Sequence, residues 1–129
     1  MEVALERILY VEDDPGIRLV GKMALEMVGG FRVHDCASGL EALAVTGFAP
    51  QLLLLDVMMP GIDGVVTLQR LWQQPETAGV PAIFMTAKVQ PDEIAQLRAV
   101  GAIDVIAKPF EPMALATQLR AIWASLPQK

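Results

Sequence analysis

The sequence predicts an α/β fold: a doubly wound parallel sheet of five strands with five flanking helices on its two faces. Three observations predict it. Apolar runs of four to six residues alternate five times with segments whose apolar residues recur at helical spacing. The connections are short, which implies right-handed crossovers between parallel strands. The third run, Leu52-Leu53-Leu54-Leu55, is unbroken leucine, as expected of a central strand covered on both faces.

Residues 8–11, Ile-Leu-Tyr-Val, form the first strand, which ends in the acids Glu12, Asp13 and Asp14. A helix follows at once. Asp14 is its N-cap, Pro15 suits its first position, and Ile17, Val20, Ala24 and Met27 recur as a core stripe up to Gly29-Gly30. Residues 31–36 alternate Phe, Val and Cys with Arg, His and Asp, the pattern of a strand with one face less buried. Ser38 and Glu41 match a capping box that opens a short helix through Leu43, stopping near Gly47.

The leucine strand runs into Asp56. Its exit loop holds Pro60, Gly61, Asp63 and Gly64, with Asp63-Gly64 starting a helix that carries Val65, Leu68, Leu71 and Trp72. Residues 81–85 make the fourth strand, leading to Thr86-Ala87-Lys88. Pro91 and Asp92 open a helix with Ile94, Leu97 and Val100 inward, closed by Gly101. Residues 104–107 make the last strand, and Lys108-Pro109-Phe110 leads to a helix on which Leu115, Leu119, Ile122 and Leu126 form one stripe. His34 is structural in this reading, and Cys36 is a small buried apolar residue.

A chain of 129 residues makes one ordinary domain, taken as residues 1–129 with a core over 8–126. Its net charge of −5 and pI near 4.7 argue against nucleic-acid binding by this domain alone. Hydrophobic residues make up 53%, enough for a sizeable core. The most apolar stretch, residues 52–68, is interrupted by two acids, a proline and two glycines, so no membrane span is expected. Residues 1–7 lack an apolar signal core, and a lone cysteine excludes an internal disulfide; both fit a cytoplasmic location.

In an open parallel sheet, ligands bind beyond the carboxyl ends of the strands, where strand order reverses. Glu12 and Asp13 leave the first strand there, Asp56 the third, Thr86 the fourth and Lys108 the fifth. With strand order 2-1-3-4-5 the first and third strands are neighbours, and three carboxylates converge. Unneutralised, they repel and at least one pKa rises. A divalent cation removes the conflict, and hard oxygen ligands suit Mg²⁺.

These residues form a pattern. Ile8-Leu9-Tyr10-Val11-Glu12-Asp13-Asp14, Leu54-Leu55-Asp56-Val57-Met58-Met59-Pro60-Gly61-Ile62-Asp63-Gly64, Met85-Thr86-Ala87 and Lys108-Pro109-Phe110 follow in order at strand ends. The chain resembles the receiver (REC) domain of two-component response regulators, chemotaxis receivers among them, from Ile8 to about Leu126. The resemblance implies a flavodoxin-like fold and a signalling phosphoacceptor that catalyses only its own phosphorylation and dephosphorylation. By it Asp56 accepts a phosphoryl group from a phosphohistidine of a sensor histidine kinase or phosphotransfer domain. Glu12, Asp13, Asp56 and the main-chain carbonyl of Met58 hold Mg²⁺. Lys108 sits against Asp56 and then against the phosphoryl oxygens, which Thr86 also contacts. Small Ala87 leaves room for the incoming group, and a cis Lys108-Pro109 bond aims the amine inward.

The pattern departs from the family at several places. The acidic pair is Glu-Asp in place of the commoner Asp-Asp. Val105 stands where an aromatic residue usually relays the Thr86 shift, which puts that relay in doubt. Met58 and Lys88 occupy the positions that tune hydrolysis; Met58 cannot orient water, so a long-lived phosphoryl state is expected. The expected output is switched protein contact through an unspecified domain or partner, as a monomer or a phosphorylation-dependent dimer, with no membrane involvement. Two other functions compete: a small Mg²⁺-dependent phosphatase with Asp56 as nucleophile, and a docking receiver that needs no phosphate. The first lacks an acid two residues after the nucleophile, where Met58 stands. The intact Asp56, Thr86 and Lys108 set argues against the second. A dinucleotide site is disfavoured, because the first strand–helix turn is acidic and has no glycine-rich loop.

Overall fold

Strands form where the apolar runs predict them. In the computed structural model, which describes residues 3–127, β1 (Arg7–Val11), β2 (Arg32–Cys36), β3 (Leu52–Asp56), β4 (Ala82–Thr86) and β5 (Asp104–Ala107) pair in parallel in the order β2-β1-β3-β4-β5. Of the expected domain span, Met1, Glu2, Gln128 and Lys129 lie outside the described residues. β3 and β4 are buried throughout, since each has a strand on either side and helices on both faces. β2, at the edge, alternates exposed and half-buried positions before the buried Cys36.

Side chains alternate between two core layers, as the strand period requires. Ile8, Tyr10, Leu52, Leu54, Ile83 and Met85 face one way, against Leu25, Phe31, Leu115 and Leu119. Leu9, Val11, Leu53, Leu55 and Phe84 face the other, against Ala42, Leu68 and Leu71. The layers are built by α1 (Pro15–Met23), α2 (Gly39–Leu43), α3 (Gly64–Leu71), α4 (Pro91–Val100) and α5 (Pro112–Ala124). Among the described residues no helix is long and apolar enough to cross a membrane.

The predicted caps form. Asp14 Oδ1 accepts from the Ile17 amide at 3.0 Å, and Ser38 Oγ accepts from the Glu41 amide at 3.1 Å. Glu41 reaches back to the Ala37 amide, one residue before the position a capping box would use.

The inward stripe of α1 needs correction. Val20 and Met27 are exposed, and the buried positions are Gly21, Ala24 and Leu25. Residue 21 faces Tyr10, and a Cβ there would lie 2.3 Å from its hydroxyl oxygen, so only glycine permits this approach. Beyond Met23 the helix widens into a π-helical turn, Ala24–Val28, which carries Met27 outward. α4 sits more lightly than its pattern implies, with Ile94, Leu97 and Val100 only half-buried. His34 is exposed, with its ring edge-on to Phe48. Cys36 is buried, which pushes its thiol up to about 12 and makes it unreactive.

Candidate functional site

Val11 pairs with Leu55 across β1 and β3, so the next residue on each chain, Glu12 and Asp56, emerge side by side at the point of strand reversal. Both are buried and Asp13 is half-buried. One carboxylate oxygen from each of Glu12, Asp13 and Asp56 lies within 4.8 Å of the others. The predicted convergence is present.

Lys108, at the end of β5, extends its ammonium into this group. Its Nζ lies 2.7 Å from Glu12 Oε1 and 3.2 Å from Asp56 Oδ2, and its side chain is 16% exposed. Asp56 is therefore the farther of two partners. The Glu12 side chain, one methylene longer than the aspartate common at this position, takes the closer contact. Burial lowers the tendency of Lys108 to stay charged, but the two carboxylates more than offset this and hold it above its ordinary value.

Asp56 is raised as well, which for a carboxyl group disfavours the charged form. Burial, then the charge and hydrogen bonding of Glu12, raise it from 3.8 to about 7, with Lys108 opposing. One ammonium facing three carboxylates leaves an excess of negative charge. The donor set is all hard oxygen, so these residues fit Mg²⁺.

The surrounding positions follow the strand ends. Thr86 is buried, and its Oγ1 accepts from the Lys88 amide at 3.1 Å, leaving the hydroxyl proton for another acceptor. The Lys108 amide donates to the Thr86 carbonyl at 2.9 Å, joining the ends of β4 and β5. Ala87 and Lys88 are exposed, as is Met58, and a cavity of about 280 Å³ between Met58, Thr86, Lys88 and Glu93 flanks the site. Val105 is half-buried on β5, and the Lys108-Pro109 peptide is cis. Asp63 starts α3, accepting from the Val66 amide at 2.8 Å, and takes no part in the acid cluster.

Two contributors were not assigned to the site from the sequence. Gly64 packs so closely under the end of β3 that a Cβ would lie 2.2 Å from the Asp56 carbonyl oxygen. Gly64→Ala is expected to cost about 1–3 kcal/mol, as overpacking does. Urea denaturation beside the unsubstituted protein checks this. Arg18 is the other: its Nη1 donates to the Glu12 carbonyl at 2.9 Å. An arginine four residues after a helix cap is a sequence signal too common to single it out.

Residues 8–120 match the family model described as the response regulator receiver domain. The chain is 36% identical over 120 residues to the DNA-binding dual master transcriptional regulator RpaA of Synechocystis, covering 92% of this chain and 49% of that protein. It is 39% identical over 116 residues to the phosphate regulon transcriptional regulatory protein PhoB of Pseudomonas aeruginosa, covering 89% of this chain and 50% of that one. This chain thus spans about half the length of the curated relatives it matches. Among solved structures, the chemotaxis response regulator CheY4 of Vibrio cholerae has a TM-score of 0.82 at 28% identity, covering 92% of this chain and 99% of that one. A putative response regulator from Chloroflexus aurantiacus has a TM-score of 0.80 at 34% identity, covering 94% and 99%.

Proposed function

Since this chain belongs to the response regulator receiver domain family, we propose that Asp56 is its phosphoacceptor, working with Mg²⁺ held by Glu12, Asp13, Asp56 and the Met58 carbonyl. The observation that carries this reading is the meeting of three acids and one lysine at the strand reversal. When bound, Mg²⁺ supplies positive charge that balances the acids and draws density from the phosphoryl oxygens.

An Asp56 oxygen attacks phosphorus while the bond from phosphorus to the donor imidazole nitrogen breaks. The electron pair of that bond stays with the imidazole, and an acyl phosphate is left on Asp56. Alignment and charge stabilisation dominate such a transfer. Lys108, already beside Asp56, turns its ammonium to the phosphoryl oxygens. Thr86 donates a hydrogen bond from its hydroxyl to the same group, and Ala87 keeps the approach open. The donor is a phosphohistidine of a sensor kinase or phosphotransfer domain.

Charge on Asp56 draws the Thr86 hydroxyl inward and takes the acceptor away from the Lys88 amide, which biases the loop after β4 between two arrangements. Val105 has no ring to follow Thr86, so the loop itself carries the change. The relatives RpaA and PhoB are named as transcriptional regulators; in this chain the acidic domain acts by protein contact in the cytoplasm and leaves nucleic acid to a partner or further domain.

Acetyl phosphate with Mg²⁺ tests the proposal: one phosphoryl adduct by intact mass, lost when EDTA removes the metal, is expected. Turnover of donor without an adduct would favour the phosphatase, and neither adduct nor turnover the docking receiver. Met58→Asn is expected to shorten the adduct lifetime, because an amide orients water where exposed Met58 cannot. Timing the loss of phosphate checks it, and unchanged decay would count against this role.

A further inference from the structure

We infer that Arg18 is a positioning residue for the metal-binding loop, holding Glu12 and Asp13 in place from behind. The inference rests on the Mg²⁺ reading proposed above, and Arg18 itself touches neither metal nor phosphate.

The loop after β1 carries two ligands on consecutive residues, and like charges there push apart. Its main chain is tied on one side by the Glu12 amide, which donates to the Cys36 carbonyl of β2 at 3.0 Å. On the other side the Arg18 Nη1 donates to the Glu12 carbonyl at 2.9 Å and reaches the Asp13 carbonyl at 3.5 Å. The guanidinium is anchored in turn. Its Nε lies 3.4 Å from Asp35 Oδ2 on β2, whose Oδ1 lies 3.2 Å from Lys22 Nζ. One rigid planar group thus joins the ligand loop, the first turns of α1 and the neighbouring strand. The Arg18 side chain is 20% exposed, so these contacts are partly shielded from water.

The direction of the effect separates this role from a purely electrostatic one. A cation behind a metal site disfavours a second cation, so on charge alone its removal tightens Mg²⁺ binding. If Arg18 positions the ligands, its removal loosens binding. Changes to groups that orient metal ligands typically cost 10–100-fold in affinity.

Calorimetric titration of the full chain with MgCl₂ tests the inference. Arg18→Ala is expected to weaken binding about tenfold. Arg18→Lys keeps the charge but lacks the fork, and should also weaken it. Lys22→Ala removes the other cation on Asp35 without touching the loop, and should bind as the unsubstituted protein does. Hydrogen exchange at the Asp14 amide, which donates to Glu12 Oε2 at 3.2 Å, should quicken in both Arg18 variants and not in Lys22→Ala. Arg18 variants that bind Mg²⁺ equally or more tightly would overturn the inference. So would a Lys22→Ala loss as large as theirs, which would trace the effect to the packing of α1 on β2. Asp13→Asn separates this failure from that of the underlying reading: if the unsubstituted protein binds no Mg²⁺, or Asp13→Asn binds as well, the metal site itself is refuted and the role of Arg18 falls with it.

Discussion

Asp56→Asn is expected to abolish the phosphoryl adduct and, in metal-free buffer, to make the protein more stable above neutral pH. The first effect follows from chemistry, since an amide oxygen at this position cannot displace the donor to leave an acyl phosphate. The second follows from the strain between the acids. Asp56 is raised from 3.8 to about 7 by burial and by Glu12. Between those values the folded chain keeps a proton that the unfolded chain has released. Stability therefore falls as pH rises through this window and levels off above about 7. Asparagine has nothing to ionise, so this component disappears. Relative to the unsubstituted protein the variant should gain about 1–3 kcal/mol at pH 8, and less than half of that at pH 5, where the loss has begun but is incomplete. Urea denaturation in EDTA at the two pH values reads the difference directly. Saturating Mg²⁺ should stabilise the unsubstituted protein more than the variant, because the ion takes the place of the proton and binds only the folded chain. An adduct that survives the substitution, or a gain over the unsubstituted protein no larger at pH 8 than at pH 5, would refute the assignment.

The fold was legible because its strands are unusually plain. Leu52 to Leu55 and Ile8 to Val11 could be read as buried strands from local sequence, and the acids that end them were conspicuous against apolar runs. That these acids meet depends on strand order, which the resemblance supplied and the pairing of Val11 with Leu55 bears out. What escaped the sequence depends on contacts between elements. The buried face of α1 was misplaced because Gly21 is chosen by Tyr10 on β1, and no apolar period marks a glycine. The preference of Lys108 for Glu12 over Asp56 turns on side-chain length across two strands. Arg18 and Asp35 look like ordinary surface charges until α1 lies over β2.

Lys108→Ala should slow adduct formation from acetyl phosphate on the order of 10²-fold, the usual loss when one preorganised stabiliser of developing charge is removed. The same substitution should tighten Mg²⁺ binding, because it takes out of the acid cluster the one ammonium found there among the described residues and leaves the ion to balance the acids. The two effects run in opposite directions, which distinguishes a residue that acts on the phosphoryl group from one that merely shapes the metal site. Stability in metal-free buffer should drop by about 3 kcal/mol, as when one partner of a buried ion pair is deleted, since Glu12 is wholly buried and loses its nearest cation. Mg²⁺ should restore much of that loss without restoring the rate. Time courses by intact mass, set beside calorimetry and urea denaturation, read all three quantities on one preparation. An unchanged rate would remove Lys108 from the reaction. A slowed rate accompanied by weaker Mg²⁺ binding would instead make it a prop for Glu12. The geometry favours a direct role: Lys108 lies within reach of both carboxylates, so it can leave Asp56 for the incoming phosphoryl oxygens while its contact with Glu12 keeps it in place.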